Sequence, residues 1–191
     1  MPPVLTGRFA EAFAYAADLH ALQIRKGSNV PYLSHLMSVA ALVLEDGGDE
    51  DEAIAGLLHD AVEDQGGPAT LEEIRRRFGD KVARIVSACT DSDTVPKPPW
   101  RERKERYVAH IREAPSDVRR VSSADKLHNA RSILADYRVV DEAVWIRFTA
   151  SKDETLWYYR SLVSEFRVAG GGRLVDELDL VVSELERLAL R

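Results

Sequence analysis

The chain has 191 residues, 45% of them hydrophobic, which is enough for one substantial core and points to a single domain over residues 1–191. Its net charge of −6 excludes a general nucleic-acid or membrane-surface binder, no apolar run could span a bilayer, and no signal peptide opens the sequence. The one cysteine, Cys89, reads as a small buried core residue, excludes an internal disulfide framework and suits a reducing cytoplasm.

Apolar spacing predicts helix almost throughout, with little β-branched alternation. The predicted helices run over Arg8–Leu22, Leu33–Glu45, Glu50–Glu63, Leu71–Phe78, Asp80–Asp91, Trp100–Glu113, Asp117–Asp136, Asp141–Phe148, Thr155–Val168 and Leu174–Leu190. The fold class is therefore all-α, a bundle of about ten helices. Thr70 with Glu73 matches a capping box, Gly79 a stop after Phe78, and Pro115-Ser116 a break followed by an N-cap. Leu174, Leu178, Val181, Val182, Leu185 and Leu188 form one stripe, the pattern of a core-covering helix.

In the third predicted helix, Leu57-Leu58-His59-Asp60-Ala61-Val62-Glu63-Asp64 breaks an apolar stretch with four polar side chains. Helical spacing puts Glu63 one turn after His59 and Asp64 one turn after Asp60, so imidazole and carboxylates share one side. Burying such a cluster is costly unless its charges are paired or hold a metal ion. His35 opens the preceding apolar helix, and Asp125 lies inside a later one. Together His35, His59, Asp60 and Asp125 offer two nitrogen and two oxygen ligands from three helices, leaving positions for water and substrate. The donor set suits Mn²⁺, and Fe²⁺, Co²⁺ or Zn²⁺ satisfy the same ligand types. Glu63 and Asp64, outside that set, are free to handle protons.

Singly, each residue has a plainer reading. His35 alone is a satisfied core histidine, Asp125 beside Lys126 a surface ion pair, and Glu63-Asp64 a solvated helix end. The ordered set with apolar flanks outweighs those readings, and acids at a helix C-terminus oppose the macrodipole unless a cation is near. Lys97, Arg101, Arg103, Lys104 and Arg106 form a basic run around Pro96–Trp100. That run is either a solvated helix face or a cationic flap, with Lys97 and Arg101 meeting substrate phosphates that an acidic protein would otherwise repel. Tyr158 and Tyr159 read as core residues, with a base-pocket wall as the alternative. His20 and His110 have no partner pattern and read as structural, while His128, one turn from Asp125, reads as a contact of the ligands.

His35, His59-Asp60 and Asp125 resemble the signature of the HD phosphohydrolase superfamily. More narrowly, three blocks resemble the hydrolase domain of the RelA/SpoT alarmone enzymes, especially the free-standing, Mesh1-like small alarmone hydrolases. The blocks are Arg25-Lys26 with Pro31-Tyr32 and His35, then His59-Asp60 with Glu63-Asp64, then Ala124-Asp125-Lys126-Leu127-His128-Asn129 with Arg131. The resemblance implies an all-α HD fold, one Mn²⁺ ion, and removal of the 3′-diphosphate of (p)ppGpp as pyrophosphate, leaving GDP or GTP. It implies that His35, His59, Asp60 and Asp125 are metal ligands and that Glu63 and Asp64 orient or deprotonate the attacking water. Arg25, Lys26 and Asn129 become substrate-binding residues. The chain ends where a synthetase domain would begin, so hydrolysis alone is expected. Asn29-Val30 and Leu36 depart from the glycine and proline common in that family, which bears on substrate preference and touches no ligand. Two alternatives remain: an HD phosphohydrolase acting on NADPH or (p)ppApp, and a nucleotide-binding module without turnover, which would have no need of Glu63-Asp64. The expected partner is a small nucleotide, with no nucleic acid and no membrane; the oligomeric state is left open.

Overall fold

A computed structural model describes residues 4–91 and 96–189 of the chain. In order come α1 (Gly7–Leu19), α2 (Leu33–Glu45), α3 (Glu50–Leu58), α4 (Ala61–Asp64), α5 (Pro68–Phe78), α6 (Asp80–Cys89), α7 (Trp100–Glu113) and α8 (Ser116–Val140). A 3₁₀ helix (Asp141–Arg147), α9 (Lys152–Val168) and α10 (Arg173–Ala189) complete them. Among the described residues, pairing of the sheet type is confined to one isolated antiparallel bridge, Ile24 with Pro31. No helix among them is long and apolar enough to cross a membrane. The expected all-α bundle is observed.

Three helices at the centre touch one another pairwise: α2, α3 and α8. Each earns that position through its sequence. All but two residues of α3 are buried, so it has no solvent face to give up. An acidic first turn and a capping box hold its N-terminus: Asp49 accepts from Glu52 N, and Glu52 accepts from Asp49 N at 2.7 Å. Gly56 faces α2, where an added Cβ would stand 3.2 Å from Ala40 Cα, so a side chain there would push the helices apart. Apolar residues at Val118, Val121, Ala124, Leu127, Ala130, Ile133 and Leu134 run the buried length of α8. Each fully buried Leu or Ile contributes roughly 1.5–3 kcal/mol. Asp125 is carried into this interior by its apolar neighbours.

Several boundaries differ from expectation, each for a local reason. The helix expected over Glu50–Glu63 breaks at His59-Asp60, giving α3 and α4. His59 Nδ1 bonds Gly56 O at 2.9 Å, a side-chain bond that competes with the helix ladder. Thr70 is not a cap: α5 begins at Pro68, and Thr70 Oγ1 donates to Gln65 O at 2.7 Å. Ser116 is the first residue of α8 rather than its N-cap, which falls on Pro115. A Ser151–Glu154 capping box starts α9 at Lys152, earlier than Thr155. The segment after Leu19 leaves the helix as a turn, with the bridge holding it as a loop between α1 and α2. The last residue expected for α10, Leu190, lies outside the described residues.

Candidate metal centre

His35 enters from the first turn of α2, His59 and Asp60 from the break after α3, and Asp125 from the middle of α8. His35 Nε2 lies 3.3 Å from Asp125 Oδ1 and 3.6 Å from Asp60 Oδ2. His59 Nε2 lies 3.0 Å from Asp60 Oδ2 and 3.6 Å from Asp125 Oδ1. Adjacent ligands on one octahedral ion, with bonds of about 2.1 Å, would stand about 3 Å apart. His35, His59 and Asp125 thus offer atoms all within 4.8 Å of one another, and Asp60 Oδ2 approaches both histidines.

Protonation agrees with that use. Gly56 O can only accept, so Nδ1 of His59 carries a proton and Nε2 is the nitrogen turned toward the carboxylates. His35 Nδ1 lies 2.8 Å from His128 Nδ1. Burial pushes His128 down to about 4, which leaves it neutral and able to accept from His35. Both Nε2 atoms are buried and neither has a hydrogen-bond partner. Two orphaned imidazole nitrogens turned toward two carboxylates fit a divalent cation. Burial alone would raise Asp60 and Asp125, yet His59 holds Asp60, and Lys126 holds Asp125, well below the ordinary carboxylate range. The same charges outweigh burial at His59 and raise it, so a cation at Nε2 takes the place of a proton.

Each acidic group has a donor behind it. Tyr32 Oη donates to Asp60 Oδ2 at 2.6 Å, and Lys126 Nζ and Asn129 Nδ2 donate to Asp125 at 2.5 Å each. Arg25 in turn donates to Asn129 Oδ1 at 2.8 Å. Glu63 accepts from Lys97 Nζ at 2.7 Å, and Asp64 from Gln23 Nε2 at 2.8 Å.

Asp60 and Asp125 line a cavity of about 730 Å³, together with Arg25, Lys26, Glu63, Asp64, His128 and Asn129. That volume suits a nucleotide-sized ligand. Tyr158 and Tyr159 are both buried, as expected of core residues, and both also line it. Of the basic run, only Lys104 reaches the lining, while Lys97 meets Glu63. Arg101 lies outside the lining, stacked over Trp157 at 3.3 Å and paired with Glu105. Arg103 and Lys104 hold Asp91, and Arg106 pairs with Glu102. Cys89 packs partly buried against the core, its thiol pushed up to about 12 by burial.

Several lining residues escaped the sequence reading, above all Arg147 and Phe148 at the end of the 3₁₀ helix. Arg147 crosses directly over Gly27 and pairs with Asp136 at 2.6 Å. Gly27 has φ +74°, and an added Cβ would stand 2.3 Å from Arg147 Cδ. Gly27 following Arg25-Lys26 is the only local trace of that crossing, and nothing in the sequence ties it to Arg147.

Residues 12–152 match the family model described as "HD domain". The chain is 40% identical to the Xenopus tropicalis guanosine-3′,5′-bis(diphosphate) 3′-pyrophosphohydrolase MESH1, over 64% of this chain and 68% of that protein. Identity to the Homo sapiens MESH1 is 37% over the same shares. Escherichia coli K12 SpoT, named a bifunctional (p)ppGpp synthase/hydrolase, is 33% identical over 66% of this chain and 18% of its own. A solved metazoan orthologue of SpoT, described as hydrolysing ppGpp, superposes with a TM-score of 0.74 at 26% identity, covering 96% of each chain.

Gly27→Ala should lower stability by about 1–2 kcal/mol, the cost of a left-handed backbone for an L side chain, and so reduce Tm by roughly 2–8 °C. It should also displace Arg147 and raise KM for an anionic substrate. Calorimetry with steady-state kinetics checks both; an unchanged KM removes Arg147 from the binding wall.

Proposed function

The chain belongs to the HD-domain family, and we propose that within it this protein is a (p)ppGpp 3′-pyrophosphohydrolase, a metal-dependent hydrolase releasing pyrophosphate and GDP or GTP. The observation that carries the reading is the buried His35, His59 and Asp125 group, with Asp60 against both histidines, whose two carboxylates line a cavity that also holds an acid pair and several cations. We assign a single HD-type hydrolase unit to residues 1–191, a cytoplasmic setting in keeping with a lone free thiol, and Mn²⁺ as the ion.

When bound, a divalent ion at these four ligands acidifies water and neutralises phosphate oxygens. Glu63 and Asp64 line the cavity beside the ligands and supply carboxylate oxygens that accept the proton of the attacking water. Lys97 steadies Glu63 through its Oε1. Water adds at the phosphorus next to the ribose 3′ oxygen as its proton passes to the acid pair, the bond to that oxygen breaks, the oxygen takes up a proton to become the 3′-hydroxyl, and pyrophosphate departs. Arg25, Lys26, Lys104 and Arg147 on the lining offset the negative phosphates, which the overall charge of −6 would repel. Asn129, held by Arg25 and holding Asp125, couples substrate-side cations to a ligand. Phe148, Tyr158 and Tyr159 give the cavity the aromatic surface on which a base can stack.

Ion-exchange separation of the products from ppGpp tests the reading. GDP and intact pyrophosphate are expected; stepwise inorganic phosphate, or inertness to ppGpp with brisk turnover of NADPH, would assign the chain to another phosphohydrolase class. Glu63→Gln should retain the ion and slow kcat by ~10²-fold or more, the usual scale for a lost proton acceptor. Parallel loss of metal and rate would instead make Glu63 a ligand.

A further inference from the structure

Asp64 is held by a chain of side chains that leads away from the metal ligands to a buried histidine. Gln23 Nε2 donates to Asp64 Oδ2 at 2.8 Å. Because a carboxylate only accepts, Gln23 must present its NH₂ group there and turn Oε1 away. Oε1 then receives Gln65 Nε2 at 2.7 Å and lies 2.7 Å from His20 Nδ1. An amide oxygen accepts, so the proton of His20 is on Nδ1. Orientation of all three groups follows from the charge on Asp64.

His20 is the C-cap of α1 and is 2% exposed. Its Nε2 is buried with no hydrogen-bond partner. An aromatic hydrocarbon ring would fill that space without burying an unpaired polar atom, so the histidine is explained by Nδ1. The same ring stacks on Tyr32, with centroids 5.4 Å apart, and Tyr32 donates to Asp60. The Gln23 backbone is fixed too, its carbonyl accepting from Tyr32 N at 2.8 Å.

We propose that His20 and Gln23 are positioning residues for catalysis: their hydrogen-bond relay engages Oδ2 of Asp64 and so presents Oδ1 to the reacting water. Among the described residues Oδ1 receives no hydrogen bond. This inference rests on the role given to Asp64 above. Gln23 also lines the cavity, so the test separates action through Asp64 from direct contact with substrate.

A double-mutant cycle does so, using Gln23→Met, Asp64→Asn and the pair in metal-loaded protein, with bound metal measured for each. Gln23→Met should lower kcat by ~10-fold, less than the ~10²-fold or more for losing a proton acceptor outright, leave KM within about twofold, and cause no further loss in the Asp64→Asn background. His20→Asn, which keeps a donor near the place of Nδ1, should stay closer to the parent than His20→Leu. Losses that multiply in the double variant, or a change confined to KM, overturn the relay while leaving the role of Asp64 intact. Full activity in Asp64→Asn overturns both.

Discussion

Asp60 and Asp125 bring two ionised carboxylates against the unpaired Nε2 atoms of two buried histidines, and the centre of this molecule is organised around that concentration of negative charge and lone pairs. Lys126 offsets part of it at the outer oxygen of Asp125, and Tyr32 and Asn129 donate hydrogen bonds. Nothing among these donors satisfies the two imidazole nitrogens. A divalent cation answers both deficits at once, since it takes lone pairs and cancels carboxylate charge. The mutual contact of α2, α3 and α8, tightened at Gly56, brings the four groups to one point.

The loop between α1 and α2 is the second organising element. Closed by the Ile24–Pro31 bridge, it reaches the acidic groups one after another: Gln23 holds Asp64, Arg25 holds Asn129 behind Asp125, and Tyr32 holds Asp60. One short segment therefore holds Asp64, Asp60 and, through Asn129, Asp125, while its cations line the same cavity. Arg147 closes over the same loop at Gly27, so this part of the cavity wall packs directly on the scaffold that holds the acids. Such coupling explains how an acidic protein handles a polyanion: its overall field repels, and a few fixed cations at the cavity attract.

Much of this was legible because the informative residues sit in strong local contexts. The helical period is nearly continuous, and His59-Asp60 stands out against the apolar run before it, so the all-α class could be read from spacing, while His35 and Asp125 joined the set through their order along the chain and its resemblance to the HD signature. The break at His59-Asp60 could not, because it depends on the ring turning back to Gly56 O. The Ser151 and Asp49 boxes were passed over although their Glu partners stand three residues on, whereas Thr70–Glu73 has the same pattern inside a helix already begun at Pro68. The basic run on α7 shows the limit of charge counting: glutamates interleaved with the arginines, together with Asp91 and Trp157, engage most of it, and only Lys104 reaches the cavity. Arg147 over Gly27 and the reach of Gln23 to Asp64 are tertiary contacts with no periodic or motif trace.

The requirement for a cation is tested most directly by measuring bound metal and thermal stability together. Protein stripped with chelator and returned to Mn²⁺ should take up one ion per chain. Saturation to 100 Kd adds about 2.7 kcal/mol, so Tm should rise by roughly 5–10 °C for a chain of this size. Asp125→Asn should bind no ion and show no such rise. Stripped protein that ignores Mn²⁺ in both uptake and Tm would contradict a metal centre at these four residues.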